Sequence, residues 1–214
     1  MLSNTFSGID YLSFSNYSPR GASQTAKKSK RFCGFVKNGD YHVIKAAIQH
    51  LKKEQHEDLI APFLNEETTL IPIPKSSPMV EGALWPGRVI VDVLLEQGLG
   101  KEVSTCLNRI KAVPKSSFQT NPADRPSVLT HMKSINMALS INAPEKITLV
   151  DDVLTKGHTS IACAKILKEA FPDAEVRLFS LLRTQSFNSD IESFVDIATN
   201  RIFYYPSGKT YREG

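Results

Sequence analysis

Between residues 41 and 182 helix-patterned and strand-patterned segments take turns, and that order does most to limit the folds open to the chain. Residues 41–57 place Val43, Ile44, Ala47, Ile48 and Leu51 at helical spacing. Residues 69–74 read as a short strand, Thr-Leu-Ile-Pro-Ile-Pro, that ends in a proline-flanked loop. A helix is expected over 85–97, with Gly98 and Gly100 as its stop, and a strand over 102–107. A long polar stretch, 108–126, precedes a further expected helix over 127–139. The apolar run 146–150 suits a buried parallel strand, 159–170 a helix and 175–182 a strand. One or two more strands are expected around 194–197 and 201–205. Alternation of this kind predicts an α/β fold, a mostly parallel twisted sheet flanked by helices. In such sheets ligands bind beyond the carboxyl ends of the strands. Residues 1–40, rich in Ser, Asn and Gly, read as an irregular N-terminal extension or hood, with 41–214 as the α/β domain.

Composition narrows the class. The 214 residues are 41% hydrophobic and 22% charged, which describes an ordinary globular chain long enough to bury a core without staples. No run of about 18 apolar residues is present, so no membrane span is expected. The three cysteines, Cys33, Cys106 and Cys163, stand far apart with no C-x-x-C pair, which argues against a zinc site or disulfide framework and for a reducing cytoplasm. A net charge of +4 is too mild to indicate nucleic acid by itself. The cluster Lys27, Lys28, Lys30 and Arg31 is the one hint of such a contact, and a solubilising segment accounts for it better.

The segment with the clearest chemistry is Ile147-Thr148-Leu149-Val150-Asp151-Asp152-Val153-Leu154-Thr155-Lys156-Gly157-His158-Thr159-Ser160. A strand delivers two carboxylates to its tip, and a short turn then opens a helix. Gly157 lets backbone approach an anion closely, and the first helical N–H groups and the helix dipole favour negative charge. Hydroxyls of Thr155 and Thr159 can complete a phosphate shell. Asp151 and Asp152 can hold ribose hydroxyls directly or through hydrated Mg²⁺. At the end of the earlier strand, Pro74, Lys75 and Ser76 offer a cation and a hydroxyl to a second anion. Arg109, Lys111 and Lys115 make the 107–119 run basic, and Arg125 and His131 follow it. Gly208-Lys209-Thr210 resembles the end of a nucleotide-binding P-loop, but no helix has room to follow it. The five histidines lack metal-ligand spacing, and Trp85 beside Pro86 reads as a packing residue.

On these residues the chain resembles the type I phosphoribosyltransferases. Their motif is an apolar strand, an acidic pair, a spacer and a Thr/Gly-rich turn into a helix. Lys156 and His158 stand where that family places small residues. Over about residues 41–183 the likeness extends to the ComF-like branch, without its N-terminal zinc ribbon. The resemblance implies binding of phosphoribosyl pyrophosphate (PRPP) with Mg²⁺ and transfer of the phosphoribosyl group to a nitrogen acceptor, a nucleobase or amine, with release of pyrophosphate. It implies catalytic roles for Asp151, Asp152, Arg109 and Lys115, and metal binding by Asp151 and Asp152. PRPP would lie against Asp151, Asp152, Val153, Leu154, Thr155, Lys156, Gly157, His158, Thr159, Pro74, Lys75 and Ser76. A homodimer is compatible with it. The alternative is a non-catalytic PRPP- or nucleotide-binding regulator linked to DNA processing or uptake.

Overall fold

The structure is a computed structural model, and it describes residues 6–114, 125–138, 143–185 and 190–214. In chain order the elements are β1 (Gly8–Tyr17), α1 (Gln24–Lys37), α2 (Tyr41–Leu51), a 3₁₀ turn (Glu54–His56), α3 (Glu57–Ile60), β2 (Thr69–Pro72), α4 (Pro86–Glu96), β3 (Glu102–Val103), β4 (Leu107–Arg109), α5 (Val128–Met132), β5 (Ile135–Met137), β6 (Lys146–Leu154), α6 (His158–Ala170), β7 (Glu175–Thr184), β8 (Val195–Tyr204) and β9 (Thr210–Arg212). Seven strands form one sheet in the order β3-β2-β6-β7-β1-β8-β9. The first five run parallel; β8 and β9 are antiparallel additions. The mixed α/β architecture expected from the alternation is what forms.

Both faces of the sheet are covered, and the strand pleat explains how. Neighbours such as Tyr11 and Leu12, Leu149 and Val150, and Leu178 and Phe179 divide between two cores. Leu12, Val150 and Phe179 pack under α1, α2 and α4, whose contributions include Val36, Ile44, Ile48 and Ile90. Tyr11, Leu149 and Leu178 pack under α6, with Ile161, Leu167 and Ile202. The helix starts are set locally. Ser23 Oγ accepts from the Ala26 N–H, the Asp40 carboxylate from Val43, and Pro86 opens α4. Among the described residues no helix is long and apolar enough to cross a membrane.

Three sequence expectations are corrected. Residues 1–40 are not irregular: β1 and α1 lie there. β1 is inserted between β7 and β8, so a boundary at residue 40 would cut a strand from its own sheet. The helix expected over 127–139 is only the five residues of α5, because Ile135–Met137 pairs instead with Leu107–Arg109 as a separate two-stranded sheet. The strand expected to end at Val150 runs on to Leu154, held by β7 through Asp151↔Ser180 and Leu154↔Arg183. Of the one or two strands expected near 194–205, one forms, β8.

Candidate functional site

Strand β2 stops at Pro72, opposite Val150, while β6 continues for four more residues. On that side the tip of β6 has no strand beside it, and its acidic pair lies at the carboxyl edge of the parallel sheet. The first amide left without a strand partner, Asp152 N–H, donates to Asp151 Oδ1 at 2.9 Å. Val153 N–H donates to Asp152 Oδ1 at 2.7 Å. The side chains of Val153 and Leu154 go to the two cores, so these residues offer only backbone to a ligand.

The two carboxylates differ in their surroundings. Asp152 meets Lys37 Nζ, from the last turn of α1, at 3.1 Å, with side-chain exposures of 20% and 52%. Burial works to lower the Lys37 pKa, but Asp152 outweighs it and the ammonium is held above its usual value. Asp151 is pushed well above the normal carboxylate range by burial and by Asp152 beside it; Lys37 offsets this only in part. Two close carboxylates with one shared ammonium leave negative charge uncompensated, which suits a cation or a donor-rich ligand.

Beyond the strand tip the chain turns into α6. Gly157 is the N-cap, with φ +77°. The backbone conformation favours glycine, and a Cβ there would also stand 2.7 Å from Ile202 Cδ1, which would have to shift. The first intrahelical bond runs from Ile161 N–H to the Gly157 carbonyl, and among the described residues the preceding helical amides have no backbone acceptor, which suits an anion. The carbonyls of the turn are taken by β9: Arg212 Nε donates to Thr155 O at 2.7 Å and Thr210 Oγ1 to Lys156 O at 2.9 Å. His158 Nδ1 donates to Pro126 O at 3.0 Å, and Thr159 Oγ1 shares a hydrogen bond with His131 Nε2 at 3.3 Å. The Thr159 hydroxyl is therefore partnered by protein. Burial, with Arg109 and His158 nearby, pushes His131 down to about 4, so its ring is neutral at neutral pH.

The outlying candidates fall differently. Pro74 is buried, and Lys75 Nζ donates to Leu84 O within its own loop at 2.8 Å. The Ser76 carbonyl accepts from Val113 N–H, which ties this loop to the basic segment after β4. Arg109 departs from expectation. It is 4% exposed, and its guanidinium donates to Lys75 O at 2.8 Å and Ser134 Oγ at 2.5 Å. A guanidinium so placed braces the loop rather than standing free to meet pyrophosphate. Lys115 lies outside the described residues. Trp85 Nε1 donates to Ile73 O, a packing role with its polar tip satisfied. Gly208 to Thr210 is a turn into β9, not a phosphate loop.

Lys37, Thr210 and Arg212 were not visible as site residues from sequence. Surface depressions also lie elsewhere. One, between Asp10, Asp58, Arg177 and Arg201, is at the amino ends of β1 and β7, where Arg177 and Arg201 are already paired with Glu175 and Asp10. Among the described residues no three His, Cys, Asp or Glu side chains gather as a metal cage.

No family model and no curated protein matches the chain. Among solved structures, a hypoxanthine phosphoribosyltransferase from Staphylococcus aureus matches over 70% of this chain and 70% of its own, at 13% identity and a TM-score of 0.35. At that level of likeness nothing about activity transfers to this chain.

Proposed function

We propose that the chain binds PRPP together with Mg²⁺ at the tip of β6 and acts as a phosphoribosyltransferase on a nitrogen acceptor. The observation that carries this reading is the juxtaposition of Asp151 and Asp152, where β6 runs past the end of β2, with a turn whose αL glycine opens α6. The helix end suits a phosphate, the carboxylates suit ribose hydroxyls, and one stretch of chain supplies both. Two carboxylates are also a fitting protein share of a Mg²⁺ site, since that ion is commonly completed by substrate phosphates and water. Displacement at the anomeric carbon builds positive charge on the ribose ring and negative charge on departing pyrophosphate. Asp151 and Asp152 would stabilise the first and the metal the second, while the helix-opening amides would hold the phosphate carried by the ribose. The proposal is made for the type I fold in general; the ComF-like branch draws no support from the comparisons.

Calorimetric titration with PRPP and Mg²⁺, followed by an acceptor screen for pyrophosphate release, tests it. Asp152→Asn is expected to weaken Mg·PRPP binding by on the order of tenfold or more. It should leave folding nearly intact, because a partly exposed ion pair with Lys37 is worth about 0–1 kcal/mol. Unchanged affinity in Asp152→Asn removes the ribose role. Tight binding with no release for any acceptor favours the regulatory reading.

A further inference from the structure

The turn after β6 would hold an anion by its N–H groups, so something must fix which way its peptides face. We propose that Arg212, with Thr210, is the positioning device for that turn; the inference rests on the PRPP reading above. The carbonyls of Thr155 and Lys156 are both drawn toward β9, by Arg212 Nε and Thr210 Oγ1. Across a trans peptide the N–H points opposite to the C=O. Pulling the 155 and 156 carbonyls to β9 therefore turns the N–H groups of Lys156 and Gly157 away from it. Neither N–H donates to a backbone acceptor among the described residues. The β8–β9 hairpin is also the pad on which the turn rests, since Ile202, paired with Arg212, is the side chain a Gly157 Cβ would strike.

Arg212 is itself held for this task. Its other nitrogens donate to Thr184 O at 2.6 Å and Tyr11 Oη at 3.0 Å, and its guanidinium lies 6.0 Å from the Tyr11 ring centroid. No Asp or Glu side chain is among its ion-pair partners in the described residues. Nη1 also donates to Gly214 O and reaches Glu213 O at 3.5 Å, so the guanidinium is held on several sides beside the turn. One side chain thus joins the β6 turn, the end of β7 and β1.

The test uses the full chain with Arg212→Met, which keeps the stem over Tyr11, and Thr210→Val, which loses only a hydroxyl. Affinity is measured by calorimetry for Mg·PRPP. The Gly157 amide resonance is followed on addition of inorganic pyrophosphate. Arg212→Met is expected to weaken Mg·PRPP binding by about tenfold or more and Thr210→Val by a smaller factor. Both should shift the Gly157 amide resonance before any ligand is added, a response that general loosening elsewhere would not give. Should Arg212→Met not fold, Thr210→Val decides. Wild-type affinity and an unmoved Gly157 resonance in the variants overturn the positioning role while the PRPP reading stands. Wild-type protein that takes pyrophosphate at Gly157 but not PRPP overturns that reading, and the variants then judge the positioning role on pyrophosphate alone. Binding of neither ligand overturns both.

Discussion

Asp151 is held where its charge is unwelcome. Burial and the adjacent Asp152 raise its pKa, and Lys37, already given to Asp152, offsets this only in part. The native state therefore keeps the Asp151 proton more tightly than the unfolded chain does. Its contribution to stability is fully present below the ordinary carboxylate range and is lost as pH rises through the raised native value. Asp151→Asn should remove that loss. The amide oxygen still accepts from Asp152 N–H, and no charge remains to be desolvated. In metal-free buffer the variant is expected to have a higher urea midpoint than wild type at neutral pH, with the difference shrinking toward acid, and to bind Mg·PRPP more weakly. Equal midpoints across the pH range would mean that Asp151 is not strained. The acidic pair and Gly157 were legible in sequence because their meaning is local: a strand tip, a turn and a helix within fourteen consecutive residues. Lys37 and Arg212 were not, because they reach the same spot from 115 and 57 residues away.

At the scale of elements, the β4–β5 sheet and α5 are the parts whose placement depends on contacts rather than pattern. The sequence over 127–139 carries helical spacing, yet the chain leaves the helix after Met132 so that Ile135 and Met137 can pair with Arg109 and Leu107. Arg109 is the fastening. It bonds the β2 loop through Lys75 O and the start of β5 through Ser134 Oγ, and Ser134 Oγ in turn donates to His131 O. From there His131 reaches Thr159 at the head of α6. Basic residues in a long polar stretch read as solvent-facing ligands for pyrophosphate; burial of Arg109 could not be read, because Lys75 and Ser134 are distant in sequence. Arg109→Met keeps the stem but takes away the donor to the part-buried Lys75 carbonyl and to the buried Ser134 hydroxyl. It is expected to cost about 1–3 kcal/mol, seen as a lower thermal midpoint, and to loosen Mg·PRPP binding indirectly through the β2 loop and α6. A midpoint equal to wild type would show that the brace carries no weight.

For the whole molecule the decisive strand is β1. Gly8–Tyr17 contains Ser13, Ser15 and Asn16, and a Ser- and Asn-rich run reads locally as irregular chain. In the fold these residues are buried and satisfied from far away. Arg183 donates to Ser13 Oγ at 2.8 Å, Ser15 Oγ donates to Leu181 O at 2.8 Å, and Asn16 Nδ2 donates to the Asp196 carboxylate at 2.9 Å. No pattern within ten residues encodes such partners, so the parallel core from β2 to β7 was legible and its continuation through β1 was not. The consequence is testable. β1 lies between β7 and β8, and Tyr11 and Leu12 are fully buried in opposite cores. Without residues 1–40, β8 and β9 lose the strand that joins them to the sheet, and β9 can no longer hold the turn after β6. Replacing β1 by water would expose both cores along a full strand, and for chains whose net stability is only about 5–15 kcal/mol that loss is decisive. A chain of residues 41–214 is expected to lack a cooperative urea transition and to bind a hydrophobic dye. A sharp transition at the wild-type midpoint would instead mark residues 1–40 as a detachable extension and β1 as dispensable.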